Sequence, residues 1–397
     1  MDKALTSDEL ADRRRRFIER MMLVHPGWET ALLAGRVNQY YFTGTMQDGL
    51  LVIKNGGELG YFVRRSYERA REESPLDSIY PMQSYRDVLD VFSGSCGATF
   101  VETEIMTVAM LERVKKYLPI DSIGSVDKTV LGVRAVKSPF ELALMEESGQ
   151  QHFKMATQVI PALLREGMSE VDFVAELTER MLKNGYQGIT RFQMFQTEVG
   201  IGQVGFGTSS LYPTSFDGPG GSRGISPAVP LIGSRERKLK KGDLVFVDTG
   251  YGIDGYHSDK TQVYSFGAKP HDNVVRAHRM CMEIQKRTAA LLTPGARPGD
   301  IYQAIIGSLD ASFLKNFMGL GARQARFLGH GIGLHVDEPP VIARGFDDPL
   351  EAHMVIALEP KKGIEGAGMV GVEDTYIVTP DGGRCITGGG ADIIEVY

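Results

Sequence analysis

Four carboxylates fall where the hydrophobic pattern of this chain leaves no room for a charge. Leu244-Val245-Phe246-Val247 reads as a buried strand, yet it runs straight into Asp248-Thr249-Gly250. Eleven residues on, Asp259 stands inside Tyr256-His257-Ser258-Asp259-Lys260-Thr261. Val355-Ile356-Ala357-Leu358 ends in Glu359-Pro360, and Met369-Val370-Gly371-Val372 ends in Glu373-Asp374. Acidic residues are depleted in apolar strands, and a buried carboxylate is tolerated only with a partner charge or a metal. Few Lys or Arg lie near these acids in sequence to act as partners. One at a time, each acid reads as a cap, a turn or a salt-bridge residue. Together they read as one metal cluster.

Nitrogen for such a cluster comes from His330 in Leu328-Gly329-His330-Gly331-Ile332-Gly333, whose glycines let the backbone approach closely. A set of carboxylates with one imidazole is hard and oxygen-rich, which favours Mn²⁺, Fe²⁺ or Co²⁺ over a thiolate-type zinc site, with Zn²⁺ still compatible. Four acids exceed what one divalent ion needs, so two divalent metal ions about 3.5–4 Å apart, sharing a bridging water, suit the set better.

The rest of the composition narrows the class. With 44 Lys and Arg against 50 Asp and Glu, the chain carries a net charge of −6, so neither nucleic acid nor an anionic membrane is an expected partner. Cys96, Cys281 and Cys385 are far apart and form no CxxC pair, which argues against a disulfide framework or a zinc finger. No apolar run reaches the ~18 residues of a membrane span, and the start of the chain lacks a signal core, so a cytoplasmic protein is expected. Arg13 to Arg16 read as the solvated face of a helix that Thr6-x-x-Glu9 opens as a capping box, rather than as a polyanion patch.

A length of 397 residues with 42% apolar content suits two or three globular domains. In the first third, residues 10–22, 66–73 and 85–92 read as helices and 31–33 and 39–42 as short strands. Residues 50–53 and 59–63 make a hairpin around Gly56-Gly57. A boundary near 134–137 separates residues 1–135 from 136–397. Past it, Ser138-Pro139-Phe140-Glu141 caps a helix running to about Leu164, and Ser169 caps another that ends at Asn184-Gly185. Strands are expected at 192–195, 243–249, 256–264, 334–337, 355–359 and 370–378, with helices at 272–292 and 300–317 between the two sets. The expected fold class is α/β (α+β), two similar halves making one curved sheet with helices outside. Gly200-Ile-Gly202-Gln-Val-Gly205 matches the dinucleotide fingerprint literally but opens no helix, so the nucleotide reading is rejected for this Gly-rich stretch, residues 200–224.

Four stretches now carry a family resemblance: Val247-Asp248-Thr249-Gly250 through Ser258-Asp259, Gly329-His330-Gly331-Ile332-Gly333-Leu334, Glu359-Pro360, and Gly371-Val372-Glu373-Asp374-Thr375. In content, order and Asp–Asp spacing they resemble the pita-bread metallopeptidases: methionine aminopeptidase, aminopeptidase P, prolidase and creatinase. Tyr40-Tyr41-Phe42-Thr43-Gly44 and Val63-Arg64-Arg65-Ser66 look like the creatinase/prolidase N-terminal domain. The resemblance implies a pita-bread catalytic domain at 136–397 behind a smaller α/β domain at 1–135. It implies Asp248 on one metal, Asp259 and Glu373 bridging both, and His330 and Glu359 on the second. Glu359 would also help to deprotonate the attacking water.

Two family positions differ. The histidine that usually follows the Gly-His-Gly histidine by seven residues is Asp337 here, and the one that follows a proline ahead of the first ligand strand is Leu231, after Pro230. Gln262 stands where an arginine often follows the second aspartate. His335 and Asp337 resemble the usual acid-x-His pair with its order swapped, facing one side if the segment is extended, and His257 shares a strand face with Asp259. Catalytic duty is therefore expected of Glu359, with His335, Asp337 and His257 as candidates. The resulting expectation is a dinuclear-metal hydrolase of Xaa-Pro peptidase type, with Mn²⁺ as the metal (Co, Fe or Zn as substitutes), a small peptide-like substrate and a homodimer. A C–N hydrolase or lyase acting on a small metabolite is the alternative that Leu231 and Asp337 raise. A non-enzymatic binding protein on the same fold is the third.

Overall fold

In a computed structural model that describes residues 5–194, 197–215 and 218–397, the chain divides into two units, Met1–Arg134 and Ala135–Tyr397. In the first, the Thr6 hydroxyl accepts a hydrogen bond from the Glu9 amide and opens α1 (Ser7–Val24). There follow β1 (Thr30–Leu33), α2 (Arg36–Thr43), β2 (Asp48–Lys54), β3 (Leu59–Arg65), β4 (Ile79–Pro81), β5 (Gly97–Val101) and β6 (Ile120–Ser125). They form a six-stranded sheet in the order β4-β3-β2-β1-β5-β6. The β2–β3 hairpin forms as expected, with Val52 opposite Gly60, and Leu32, Leu50, Val52 and Phe62 fill one core against Val88 and Val114.

Two expectations fail in this unit. Residues 39–42 belong to α2 rather than to a strand. A run of four apolar and polar residues has no decisive period, and Gly44, at φ 76°, supplies a left-handed helix stop just past it. Arg13 is not on a solvated face. It is fully buried, its Nε paired with Glu9 Oε1 at 2.7 Å, one Nη donating to the Tyr41 carbonyl at 2.9 Å, and its guanidinium stacked over the Tyr41 ring.

In the second unit, α3 (Pro139–Lys154) starts on the expected Ser138–Glu141 capping box and continues through a π-turn at Met155–Val159 to Leu163. The same reciprocal cap between Ser169 and Asp172 opens α4 (Glu170–Lys183). Next come β7 (Gly202–Phe206), β8 (Leu244–Ile253), β9 (Tyr256–Phe266), α5 (Asp272–Ala290), α6 (Pro298–Gly307), β10 (Phe327–Gly331) and β11 (Glu338–Ala343). The chain finishes with β12 (Val355–Leu358), β13 (Lys361–Ile364), β14 (Gly368–Gly371), β15 (Asp374–Thr379), β16 (Gly382–Cys385) and β17 (Ile394–Val396). After β7 comes a 3₁₀ turn, Gly207–Leu211, in place of the helix a dinucleotide site needs.

The fold class is the α/β arrangement expected, but the curved sheet is two hydrogen-bonded sheets. One runs β17-β9-β8-β7, the other β11-β10-β12-β15-β16, and an isolated bridge from Thr261 to Glu373 joins them. The single strand expected at 370–378 is broken at Val372-Glu373: β14 pairs with β13, whereas β15 pairs with β12. Residues 192–194 and 334–337 form no strand, and Phe195 lies outside the described residues. Helix α5 buries Cys281 and Ile284 against Ile356 and Leu358, and α4 buries Phe173 and Leu177 against Val245 and Val247. Among the described residues, no helix is long and apolar enough to cross a membrane.

Candidate metal centre

The eleven-residue spacing of Asp248 and Asp259 is a hairpin's arithmetic. Strands β8 and β9 are joined by Asp254-Gly255, both at positive φ (47° and 92°), the geometry of the tight turn that matches strand twist. Ile253 therefore pairs with Tyr256, Gly250 with Asp259 and Asp248 with Thr261. Asp248 and Asp259 become diagonal neighbours on one sheet face. Thr261 then bridges to Glu373, and its hydroxyl donates to Glu373 Oε2 at 3.1 Å. Leu358 pairs with Asp374, so Glu359 and Glu373 leave that ladder side by side. His330 lies opposite Ala357 on β10. A Cβ at Gly329 would run into the Ala357 carbonyl oxygen, and one at Gly331 into that of Pro339, so the flanking glycines are steric requirements.

One ligand atom each from Asp259, His330 and Glu373 lie within 4.8 Å of one another. The Nδ1 of His330 meets the Gly331 carbonyl at 3.0 Å, a donor bond that turns Nε2 toward the carboxylates, 3.5 Å from Glu359 Oε1 and 3.7 Å from Glu373 Oε1. Glu373 Oε1 is buried with no hydrogen-bond partner. Burial alone would lower the His330 pKa, but Glu359 and Glu373 hold it well above the usual imidazole range, so a bound cation would displace a proton here. Burial and then the neighbouring carboxylates push Asp259 well up, and burial raises Asp248 to about 6. An orphaned carboxylate oxygen beside an oriented imidazole fits one divalent cation.

One lysine departs from the expectation that these acids lack cationic partners. Lys361, fully buried, places its Nζ 2.9 Å from Asp248 Oδ2, 2.9 Å from Glu359 Oε2 and 2.6 Å from Glu373 Oε2. Burial would lower its pKa, yet the three carboxylates hold the ammonium well above the usual lysine value. The sequence shows only its nearness to Glu359 and not its burial. Lys361 stands two residues past Glu359, and the two-residue period of extended chain puts both on one side. Lys260, adjacent to Asp259, is instead spent on Asp374 at 2.6 Å.

The cluster opens on a cavity of about 280 Å³, which Asp248, Asp259, His330, Glu359 and Glu373 line together with Phe192, Leu231 and Val336. His257, His335 and Asp337 are not among the lining residues. Both ring nitrogens of His257 are engaged, Nδ1 with the Gly333 carbonyl at 3.0 Å and Nε2 with the Gln187 amide at 3.0 Å. Burial drives its pKa down to about 4, which makes it a neutral strut between β9 and the loop after β10. The His335 amide donates to Glu338 Oε1, and Asp337 Oδ1 accepts from the Gln193 amide at 2.8 Å. The segment 334–337 bends, so the shared face expected of His335 and Asp337 does not form. A second group that the sequence left unnoticed lies beneath the hairpin. His152, fully buried, joins Thr249 at 3.0 Å and Ser258 at 3.2 Å, tying α3 to both site strands.

The sequence profile of metallopeptidase family M24 matches residues 143–380, and that of the creatinase/prolidase N-terminal domain matches residues 13–136. The chain belongs to metallopeptidase family M24. Among M24 relatives, it is 25% identical over 361 residues to the Xaa-Pro dipeptidase of Pyrococcus furiosus, spanning 90% of this chain and 93% of that one. To the putative dipeptidase YkvY of Bacillus subtilis it is 27% identical over 388 residues, spanning 94% and 97%. The solved dipeptidase PepE from Mycobacterium ulcerans superposes with a TM-score of 0.78 at 22% identity, covering 99% of each chain, and shares the pita-bread fold. M24 membership implies divalent metal and hydrolase chemistry, in line with the donor set of Asp259, His330 and Glu373.

Proposed function

We propose that this M24 chain is a metal-dependent hydrolase of small peptide-like substrates, with Xaa-Pro dipeptides first in line. The observation that carries this reading is the cluster of Asp259, His330 and Glu373 ligand atoms lining a cavity, with Glu359 beside it. A divalent cation, Mn²⁺ first among Mn, Co, Fe and Zn, would be held by those three residues and would supply Lewis acidity toward the substrate carbonyl and acidity to a water. Glu359 lines the cavity while Lys361 anchors its Oε2, so Oε1, 3.5 Å from His330 Nε2, is the carboxylate oxygen left to take a proton from the attacking water. Phe192, Leu231 and Val336 give part of the wall an apolar surface, which suits an apolar side chain.

A second reading keeps the metal and changes the chemistry to a C–N hydrolase or lyase reaction on a small metabolite. Leu231 favours it, because an apolar side chain lines the cavity at the position where family peptidases carry a histidine toward the substrate carbonyl. Turnover by the Mn²⁺-loaded protein on mixed Xaa-Pro and Xaa-nonPro dipeptides, followed by mass spectrometry, separates the two. Cleavage of Xaa-Pro by the parent and none by Asp259→Asn is the outcome expected. Intact dipeptides with metal bound would reject the peptidase and leave the second reading. A homodimer and a cytoplasmic setting belong to the same proposal by analogy with the family, and a monomer in sedimentation equilibrium would reject the first.

A further inference from the structure

We infer that the Lys361 ammonium takes the place of one of the two metal ions expected at this centre, so that the site binds a single divalent cation. The inference rests on the metal-dependent reading above and adds the number of ions. Its basis is the way the acidic side chains divide. Glu373 gives Oε2 to Lys361 Nζ at 2.6 Å and leaves Oε1 without a hydrogen bond, 3.7 Å from His330 Nε2. Glu359 is split the same way, with Oε2 on Lys361 at 2.9 Å and Oε1 3.5 Å from His330. Asp248, which the family resemblance assigns to a metal of its own, meets Lys361 through Oδ2 at 2.9 Å. Glu373, which the family resemblance assigns to both metals, therefore faces two cation positions, but one of those positions holds an ammonium.

Backbone structure keeps the ammonium there. Lys361 begins β13 and pairs with Gly371 on β14, the strand that leads into Val372-Glu373. Its Nζ lies 5.9 Å from the centre of the Phe246 ring on β8, and the side chain is fully buried and outside the cavity lining. An ion on the Asp248 side would have to displace a cation already within hydrogen-bond reach of three carboxylates. Lys361 acts through the carboxylates it fixes and is a positioning residue.

The test is metal stoichiometry on the full chain, read by elemental analysis after Mn²⁺ saturation and desalting, with the electron paramagnetic resonance spectrum of the same samples. The parent is expected to hold one Mn²⁺ per chain with the hyperfine pattern of an isolated ion. Lys361→Ala is expected to hold two, with the spectrum of an exchange-coupled pair. Two coupled ions in the parent would overturn the inference and leave the hydrolase reading standing. No bound Mn²⁺ in the parent would overturn both. One ion in both proteins would show that something other than the ammonium excludes the second, which also overturns it. If Lys361→Ala fails to fold, the parent's stoichiometry and spectrum decide between one ion and two.

Discussion

A charged side chain with no exposed surface is the least expected residue in this site. Lys361 is tolerated because three carboxylates face it, and each of them is tolerated partly because Lys361 is there. Removing one partner of such a buried set leaves uncompensated charge, which typically costs about 3–5 kcal/mol. Lys361→Met, close in length and without charge, is therefore expected to destabilise the metal-free protein by about that amount in urea denaturation. Mn²⁺ is expected to recover part of the loss. An unchanged midpoint would mean that the carboxylates are relieved in some other way. Asp248, Asp259, His330, Glu359 and Glu373 stand out as candidates in the sequence because acids and a glycine-flanked histidine are anomalous in apolar strands. Lys361 does not, because lysine is an ordinary surface residue and only burial makes it informative.

The elements explain why the ligands converge. A two-residue Asp-Gly turn sets Asp248 and Asp259 diagonally on one face, and this follows from local sequence alone. Capping boxes at Ser138 and Ser169 are local in the same sense. Residues 39–42 are too few for their periodicity to separate a strand from one turn of α2. The strand expected at 370–378 was continuous in pattern, and its break at Glu373 depends on which neighbour each half pairs with. Beneath the hairpin, His152 belongs to α3, and burial takes its pKa down to about 3. The unfolded chain, with a histidine pKa near 6.5, then binds a proton that the folded one does not. Stability contributed at this position is complete above about pH 6.5 and is lost as pH falls toward about 3, with a slope of up to about 1.4 kcal/mol per pH unit. Urea denaturation across that window should show a slope smaller by one proton in His152→Gln than in the parent. Equal slopes would show that His152 titrates normally.

At the scale of the whole chain, all the candidate ligands lie in the unit Ala135–Tyr397, so metal binding and that unit's stability are linked. Mn²⁺ at about a hundred times its dissociation constant should stabilise that unit by about 2.7 kcal/mol. In calorimetry this corresponds to a rise of about 5–10 °C in the unit's transition, which a chelator should reverse. No shift would mean that the native state does not bind the ion. The sequence by itself determined the family, through several motifs in a fixed order, and the hairpin that sets two candidate ligands side by side and the helix caps, each of which depends on neighbours within about a dozen residues. Tertiary structure alone decided which sheet each half of the broken strand joins, that His257 is held between β9 and a loop, and that Lys361 faces three acids. Those outcomes depend on burial and on which elements pack together, as with Lys361 and Asp248, 113 residues apart, and no local pattern records which distant charge will share a dry interior.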